Sequence, residues 1–317
     1  MRVGPDELRR RADRLTQRLA ACDLCPRLCR VNRLAGERGY CGVGREALLG
    51  AALPHFGEEP PLSGTRGAGT IFLGGCNLGC VFCQNLQISR RQVELREIDA
   101  AALAEEILRL ARQGCHNIEF VTPSHVVPQI LAALAQVTEI GLDLPIVWNT
   151  GGYDALDVLR ELEGIVDIYL PDLKYTETQS ARELSGAPDY WEVARAAVSE
   201  MLRQTGALEC DAEGIARRGV IVRHLVLPND LAGSEAVLRF VAGLVPRPRV
   251  ALMAQFYPIP ECDHPLLQRP LFRGEYERVR RQLVTLGLDD GWAQDLDAEA
   301  HYRPDFGRTD PFPRQNA

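Results

Sequence analysis

From residue 66 onward, short apolar runs alternate with amphipathic stretches. The runs centre on Ile71, Phe120, Ile146, Ile168, Val222 and Leu252. Each is rich in Val, Ile and Leu and lacks clean alternation, as expected of parallel strands buried on both faces. Between the runs the apolar spacing becomes helical. Asp99 is placed to cap a helix carrying Leu103, Ile107, Leu108 and Leu110 that ends near Gly114. Val126, Ile130, Leu131 and Leu134 predict the next, stopping near Gly141. Leu156, Leu159 and Leu162 predict a third before Gly164. Trp191, Ala194, Val198, Met201 and Leu202 predict a fourth, ended by Gly206. Ser234 is a candidate cap for a fifth with Leu238, Val241 and Leu244, and Tyr276, Val279, Leu283 and Leu286 mark a sixth.

Six β–α units imply right-handed crossovers and a parallel sheet. Curled, this is an α/β fold of the partial (β/α)6, TIM-like barrel type. Its chemistry is expected on loops at the carboxyl ends of the strands. An open doubly wound sheet is the other topology. No G-x-G-x-x-G follows the first strand, which argues against a dinucleotide fold. The pattern divides into 1–65, an N-terminal helix and Cys-rich extension; 66–290, the barrel; and 291–317, a C-terminal tail.

Composition narrows the class. The 317 residues suffice for one large domain with extensions. A net charge of −7 gives no electrostatic case for nucleic acid or a membrane surface. Arg9, Arg10, Arg11, Arg14 and Arg18 alternate with Leu8, Leu15 and Leu19 at helical spacing, so they read as a solvated helix face. There is no signal peptide and no apolar run long enough for a bilayer. Of ten cysteines, seven fall in two tight clusters, which points to metal binding in a reducing cytoplasm rather than to disulfides.

The first barrel strand leads into Cys76-Asn77-Leu78-Gly79-Cys80-Val81-Phe82-Cys83, a C-x3-C-x2-C motif. Three thiolates can hold three irons of a [4Fe–4S] cluster and leave the fourth without a protein ligand. A structural zinc site is the alternative, but zinc usually takes four protein ligands, commonly from paired CxxC units.

This motif resembles that of the radical S-adenosylmethionine superfamily. Over about residues 66 to 258 the chain looks like the pyruvate formate-lyase activating enzyme-like branch. The resemblance implies the partial barrel of that superfamily, with Cys76, Cys80 and Cys83 as the essential cluster ligands. It implies that the open iron chelates S-adenosylmethionine, whose reductive cleavage gives methionine and a 5′-deoxyadenosyl radical that abstracts hydrogen. An electron donor such as flavodoxin or ferredoxin follows. The substrate is either a backbone glycine of a glycyl-radical partner, or a small molecule or another protein residue. A reading of a different class is a non-catalytic binding protein stabilised by two structural zinc sites.

The strand ends carry further candidates. Many enzymes of this superfamily have a Gly-Gly-Glu stretch after the second strand that contacts the cofactor amino group. Here the stretch is Thr122-Pro123-Ser124-His125. Thr122, Ser124 and His125 are left to supply hydrogen bonds, or Ser124 to cap the next helix. Asn149-Thr150-Gly151-Gly152 is similar to the Asp-Thr-Asn-Gly of the activating enzymes, and Asp172-Leu173-Lys174 to their Asp-Leu-Lys. By that resemblance Asn149, Thr150 and Asp172 hold a monovalent cation, weakened by the Asp-to-Asn change; Lys174 is placed either to pair with the cofactor carboxylate or to form a surface salt bridge. Arg223 lies within an apolar run, needs an anionic partner if it points inward, and matches an arginine that reaches the cofactor in those enzymes. His224 beside it reads as a packed residue. Gln255 and the residues after it form a candidate wall for adenosine or substrate, and Phe82 a packing partner of the adenine.

A second cluster, Cys22, Cys25, Cys29 and Cys41, precedes the barrel with spacing C-x2-C-x3-C-x11-C. Gly36, Gly39 and Gly42 let this loop fold tightly. Four thiolates suit zinc or an iron–sulfur cluster, and the closed set points to zinc ahead of a second cluster. A similar four-cysteine extension occurs in activating enzyme-like proteins. Cys115 reads as packing, and Cys262 as a surface-loop thiol or one facing the active site.

Overall fold

The computed structural model describes residues 2–298 and 303–312. Among the described residues one sheet holds ten strands. In chain order they are β1 (Ala47–His55), β2 (Ala68–Leu73), β3 (Arg96–Ile98), β4 (Ile118–Val121), β5 (Ile146–Thr150), β6 (Ile168–Pro171), β7 (Glu209–Cys210), β8 (Ala216–Leu225), β9 (Arg249–Met253) and β10 (Trp292–Ala293). The order across the sheet is β10-β9-β8-β6-β5-β4-β2-β1-β3, with β7 beside β8. The stretch from β2 to β10 is parallel. β1 runs antiparallel to β2, and β3 to β1. The sheet curls but does not close, so the α/β fold is the partial barrel the sequence predicts, with its six apolar runs as β2, β4, β5, β6, β8 and β9.

Alternation sets the two faces of each strand. Val147, Ile168, Leu170, Ile221 and Ala251 pack together with Leu62 inside the barrel. Ile71, Phe120, Trp148, Tyr169, Val220 and Val222 join the helices in a larger outer core. Those helices are α1 (Pro5–Gln17), α2 (Pro60–Ser63), α3 (Leu86–Ser89), α4 (Ala100–Arg112), α5 (Val127–Glu139), α6 (Leu156–Glu161), α7 (Thr178–Ser185), α8 (Tyr190–Thr205), α9 (Ser234–Ala242) and α10 (Arg273–Thr285). Asp99 caps α4 as predicted, accepting the Ala102 N–H at 2.8 Å, an arrangement worth about 1 kcal/mol.

Two expectations are corrected. Ser234 is not a cap: it is the first residue of α9, Gly233 holds the cap position, and the Ser234 hydroxyl lies 2.8 Å from His224 Nε2. Ser124 does not cap α5 either, because the cap residue is Val126 and has no side-chain bond to give. The residues before 66 pack against the barrel. β1 lies among them and pairs along β2, and α1 buries Leu8, Ala12 and Leu15. The arginines of α1 pair with neighbouring carboxylates, Arg9 with Asp6 and Glu139, and Arg14 with Glu161. Among the described residues no helix is long and apolar enough to cross a membrane.

Candidate active site

The strand ends of the barrel open into a cavity of about 400 Å³. Cys76, Cys80 and Cys83 line it, together with Phe82, Thr122, Asn149, Thr150, Asp172, Lys174, Arg223 and Gln255. The loop after β2 presents the three thiols. The Leu78 N–H donates to Cys76 Sγ at 3.3 Å, the Ser185 hydroxyl to Cys80 Sγ at 3.2 Å, and Cys83 Sγ lies 3.4 Å from Ser89 Oγ. Burial pushes the Cys83 thiol up to about 12 and raises Cys76, with the neighbouring thiols adding to both. Such thiols become thiolates when a metal supplies the compensating charge. Three soft donors, each with its own polar contact, and open space beyond them fit a cluster with one iron free of protein ligands.

The neighbouring strand ends are braced by hydrogen bonds. Thr122 adopts φ +60, a strained value for a β-branched residue, and its N–H reaches the Asn149 carbonyl at 2.8 Å. Strain of this kind gathers at functional sites. Thr150 Oγ1 donates to Asp154 Oδ2 at 2.6 Å, and Ser124 Oγ to Asp154 Oδ1 at 2.7 Å. Ser124 thus braces Thr150 and is not among the cavity-lining residues. Asn149 Nδ2 donates to buried Glu119 at 2.8 Å. Lys174 Nζ sits 2.5 Å from Asp172 Oδ2. Burial opposes the ammonium charge, but Asp172 outweighs it and holds the Lys174 pKa above the usual lysine range. The one carboxylate among the candidate cation ligands is therefore already paired.

Arg223 points inward, as an anionic partner would require, and the partners are protein carboxylates. Its Nε and Nη2 each donate to Glu59 at 2.8 Å, and Nη2 also meets Glu58. Glu119 faces the same group, and its pKa is raised to about 8 by burial and then by Glu58. Phe82 meets Tyr175 and Phe256 edge-on, with centroids 6.2 and 6.1 Å apart. Gln255 lies in a glutamine chain: its Nε2 donates to Gln84 at 2.6 Å, and Gln294 donates to its Oε1 at 2.6 Å.

His125 is placed elsewhere. It is absent from this cavity and lines a second, smaller one with Cys22, Cys25, Cys29 and Cys41. The four N-terminal cysteines are thus brought together, as their spacing predicts. Gly39 allows this closure, since a Cβ there would lie 2.9 Å from Cys29 Sγ. The N-terminal cysteine loop presses on the barrel loop. Arg27 donates to the carbonyls of Asn77 at 2.6 Å, Leu78 at 3.0 Å and Ser185 at 2.7 Å. Cys115 is buried, as expected of a packing residue. Cys262 is also buried and is neither a surface thiol nor a cavity residue.

Sequence reasoning missed Glu58, Glu59, Glu119 and Asp154. Glu119 alone carried a signal, a carboxylate inside an apolar strand. The others lie in loops whose partners are distant in sequence.

Residues 70–205 match the model of the radical SAM superfamily. The chain is 29% identical over 276 residues to an uncharacterized protein of Methanocaldococcus jannaschii, covering 84% of this chain and 75% of that one. A second uncharacterized protein of the same organism is 28% identical over 125 residues, 34% of this chain and 36% of its own. Among solved structures, a radical SAM methyltransferase from Sphaerobacter thermophilus superposes with a TM-score of 0.48 at 18% identity, covering 71% of this chain and 65% of that one.

Proposed function

We propose that this chain is a radical S-adenosylmethionine enzyme whose cluster is held by Cys76, Cys80 and Cys83. The observation that carries the reading is one cavity in which three thiols share walls with the ends of β4, β5, β6 and β8. Bound there, a [4Fe–4S] cluster supplies the electron that cleaves S-adenosylmethionine to methionine and a 5′-deoxyadenosyl radical, which abstracts hydrogen from the substrate.

The protein's own part is to bind, orient and keep water out. The Lys174 ammonium, fixed by Asp172, is the cation available to a cofactor carboxylate. Asn149 and Thr150 are held at the rim by Glu119 and Asp154. Phe82 offers an aromatic edge to an adenine, and the Gln84–Gln255–Gln294 chain a polar wall. Leu73, Val121 and Leu252 add apolar wall beside these groups, which limits quenching of a radical by solvent.

The substrate reading follows the activating-enzyme branch through Asn149-Thr150 and Asp172-Leu173-Lys174: a glycyl-radical protein as hydrogen donor, reduced flavodoxin or ferredoxin as electron source. The test is made on anaerobically reconstituted protein with dithionite and S-adenosylmethionine. It should release 5′-deoxyadenosine, and Cys80→Ala should abolish the release. Cofactor cleavage that survives replacement of all three cysteines would overturn the reading. Co-expression with a glycyl-radical enzyme, read by the glycyl EPR doublet, tests the substrate separately.

A further inference from the structure

The small cavity among the N-terminal cysteines is the strongest unexplained feature. Its volume is about 10 Å³, and it lies between Cys22, Cys25, Cys29 and Cys41. That is room for one water-sized sphere of ~1.4 Å radius. A closed tetrathiolate zinc site, with Zn–S of about 2.3 Å, draws its sulfurs too close for such a sphere. Among the described residues no group of three His, Cys, Asp or Glu side chains is placed to share a single ion. In an iron–sulfur cluster the cysteines are divided among several irons and stand further apart than the ligands of one zinc.

The cavity wall holds unsatisfied polar groups. Arg33 is 1% exposed and lines it. Its Nε donates to the Gly44 carbonyl at 2.9 Å, and Nη1 to the His125 carbonyl at 2.7 Å and to Cys22 Sγ at 3.7 Å. Nη2 has no partner. His125, also 1% exposed, spends Nε2–H on the Gly74 carbonyl at 2.9 Å and leaves Nδ1 without a partner. A buried cationic donor without an acceptor is costly, so the wall calls for an anionic group that reaches Arg33.

We propose that the N-terminal loop binds an iron–sulfur cluster on Cys22, Cys25, Cys29 and Cys41, with Arg33 as the positioning residue that donates to its sulfur and His125 as the barrel residue that abuts it. Bridging sulfides give the Arg33 Nη2–H the acceptor it lacks. The loop is then anionic and cation-compensated, and hydrogen bonds to cluster sulfur tune its potential. The triple-variant measurement does not depend on what the barrel cavity binds; the wild-type count rests on the proposed barrel cluster.

The test is the full chain with Cys76, Cys80 and Cys83 all changed to alanine, purified anaerobically. It should hold about two or four irons with matching acid-labile sulfide. About one zinc without sulfide, or no metal, overturns the proposal. If circular dichroism shows the triple variant unfolded, the wild type decides. Iron exceeding about four per chain supports the proposal, and about four irons with one zinc overturns it. Adding Arg33→Lys to the triple variant should lower the reduction potential or release iron. An unchanged potential at full iron content would remove Arg33 from the site.

Discussion

The Arg27 guanidinium lies over the Tyr40 ring at 3.9 Å, and both side chains donate to the same carbonyl, that of Leu78, at 3.0 and 2.7 Å. Arg27 stands between Cys25 and Cys29, and Tyr40 next to Cys41, while Leu78 lies inside the barrel motif. The order of the N-terminal cysteine loop is thereby transmitted to the loop that presents Cys76 and Cys80. Stacking and a multidentate donor are properties of arginine that lysine does not share. Arg27→Lys should therefore lower 5′-deoxyadenosine formation by about tenfold, equivalent to ~1.4 kcal/mol. Iron content is expected to stay near that of the wild type. Wild-type rates would mean that the two cysteine loops fold independently.

Asp172 fixes Lys174 at the cavity rim. Asp172→Asn removes the charge while keeping the shape, so the lysine is no longer held toward the cofactor. S-adenosylmethionine titrated into the reduced protein and followed by EPR should bind about tenfold more weakly, roughly the value of one charge-assisted contact. The iron content should be unchanged, because Asp172 is no iron ligand. Lys174 already supplies the counter-charge, so replacing potassium by choline in the buffer should alter binding less than about twofold. A strong cation dependence would restore the cation site at Asn149, Thr150 and Asp172.

The sequence made the barrel legible because parallel strands must be apolar throughout, and the six such runs are six strands of the sheet. β1 escaped because Gly50, Ala51, Ala52 and Pro54 make its run look like a loop, and only pairing with β2 reveals it. The two cysteine groupings were readable because their spacing is local. His125 shows the limit. Its neighbours in sequence lie at a strand end, so it read as a cofactor contact, yet the ring turns toward the cavity of the N-terminal cysteines. Ser234 failed similarly: its position suited a cap, but His224 competes for its hydroxyl.

Arg223 separates a structural role from a cofactor contact. It is the cation facing Glu58, Glu59 and Glu119. Arg223→Met leaves these buried carboxylates uncompensated, and breaking one partner of a buried pair costs about 3–5 kcal/mol. A large fall in Tm is expected, with partial rescue by adding Glu59→Gln. An unaltered Tm with weakened cofactor binding would instead show that the arginine serves the ligand.

His224 gives the fold an acid-sensitive point. Burial lowers its pKa to about 4, while its bond to the Leu173 carbonyl works in the opposite direction. Nδ1–H donates to that carbonyl at 2.6 Å, and Nε2 accepts from Ser234. The folded state therefore holds the ring neutral, whereas the unfolded chain protonates near pH 6.5. The stability this contributes is full above pH 6.5 and is lost as the pH falls toward about 4. One proton gives a slope of about 1.4 kcal/mol per pH unit within that window. His224→Gln should flatten the dependence of Tm on pH there. An equal slope in wild type and variant would assign the acid sensitivity to other groups, among them His125 and His55, which burial also lowers.

Gly75 ties the two cysteine loops together through the backbone. It has φ +79, and a Cβ there would lie 2.5 Å from the Cys41 carbonyl oxygen and 2.6 Å from Val43 Cγ2. Gly141 provides a control, with φ +86 and nothing within 4 Å of an added Cβ. Both alanine variants carry the left-handed backbone cost of about 1–2 kcal/mol. Only Gly75→Ala must also push Cys41 away from the barrel loop or distort the approach to Cys76. Gly141→Ala should lower Tm by a few degrees and keep its iron. Gly75→Ala should lose iron from both cysteine sets at once, read as total iron per chain and as the EPR signal that answers to S-adenosylmethionine. Equal iron in the two variants would show that the Cys41 contact can relax without consequence, and that the N-terminal cysteine loop and the barrel motif are not mechanically joined at this point.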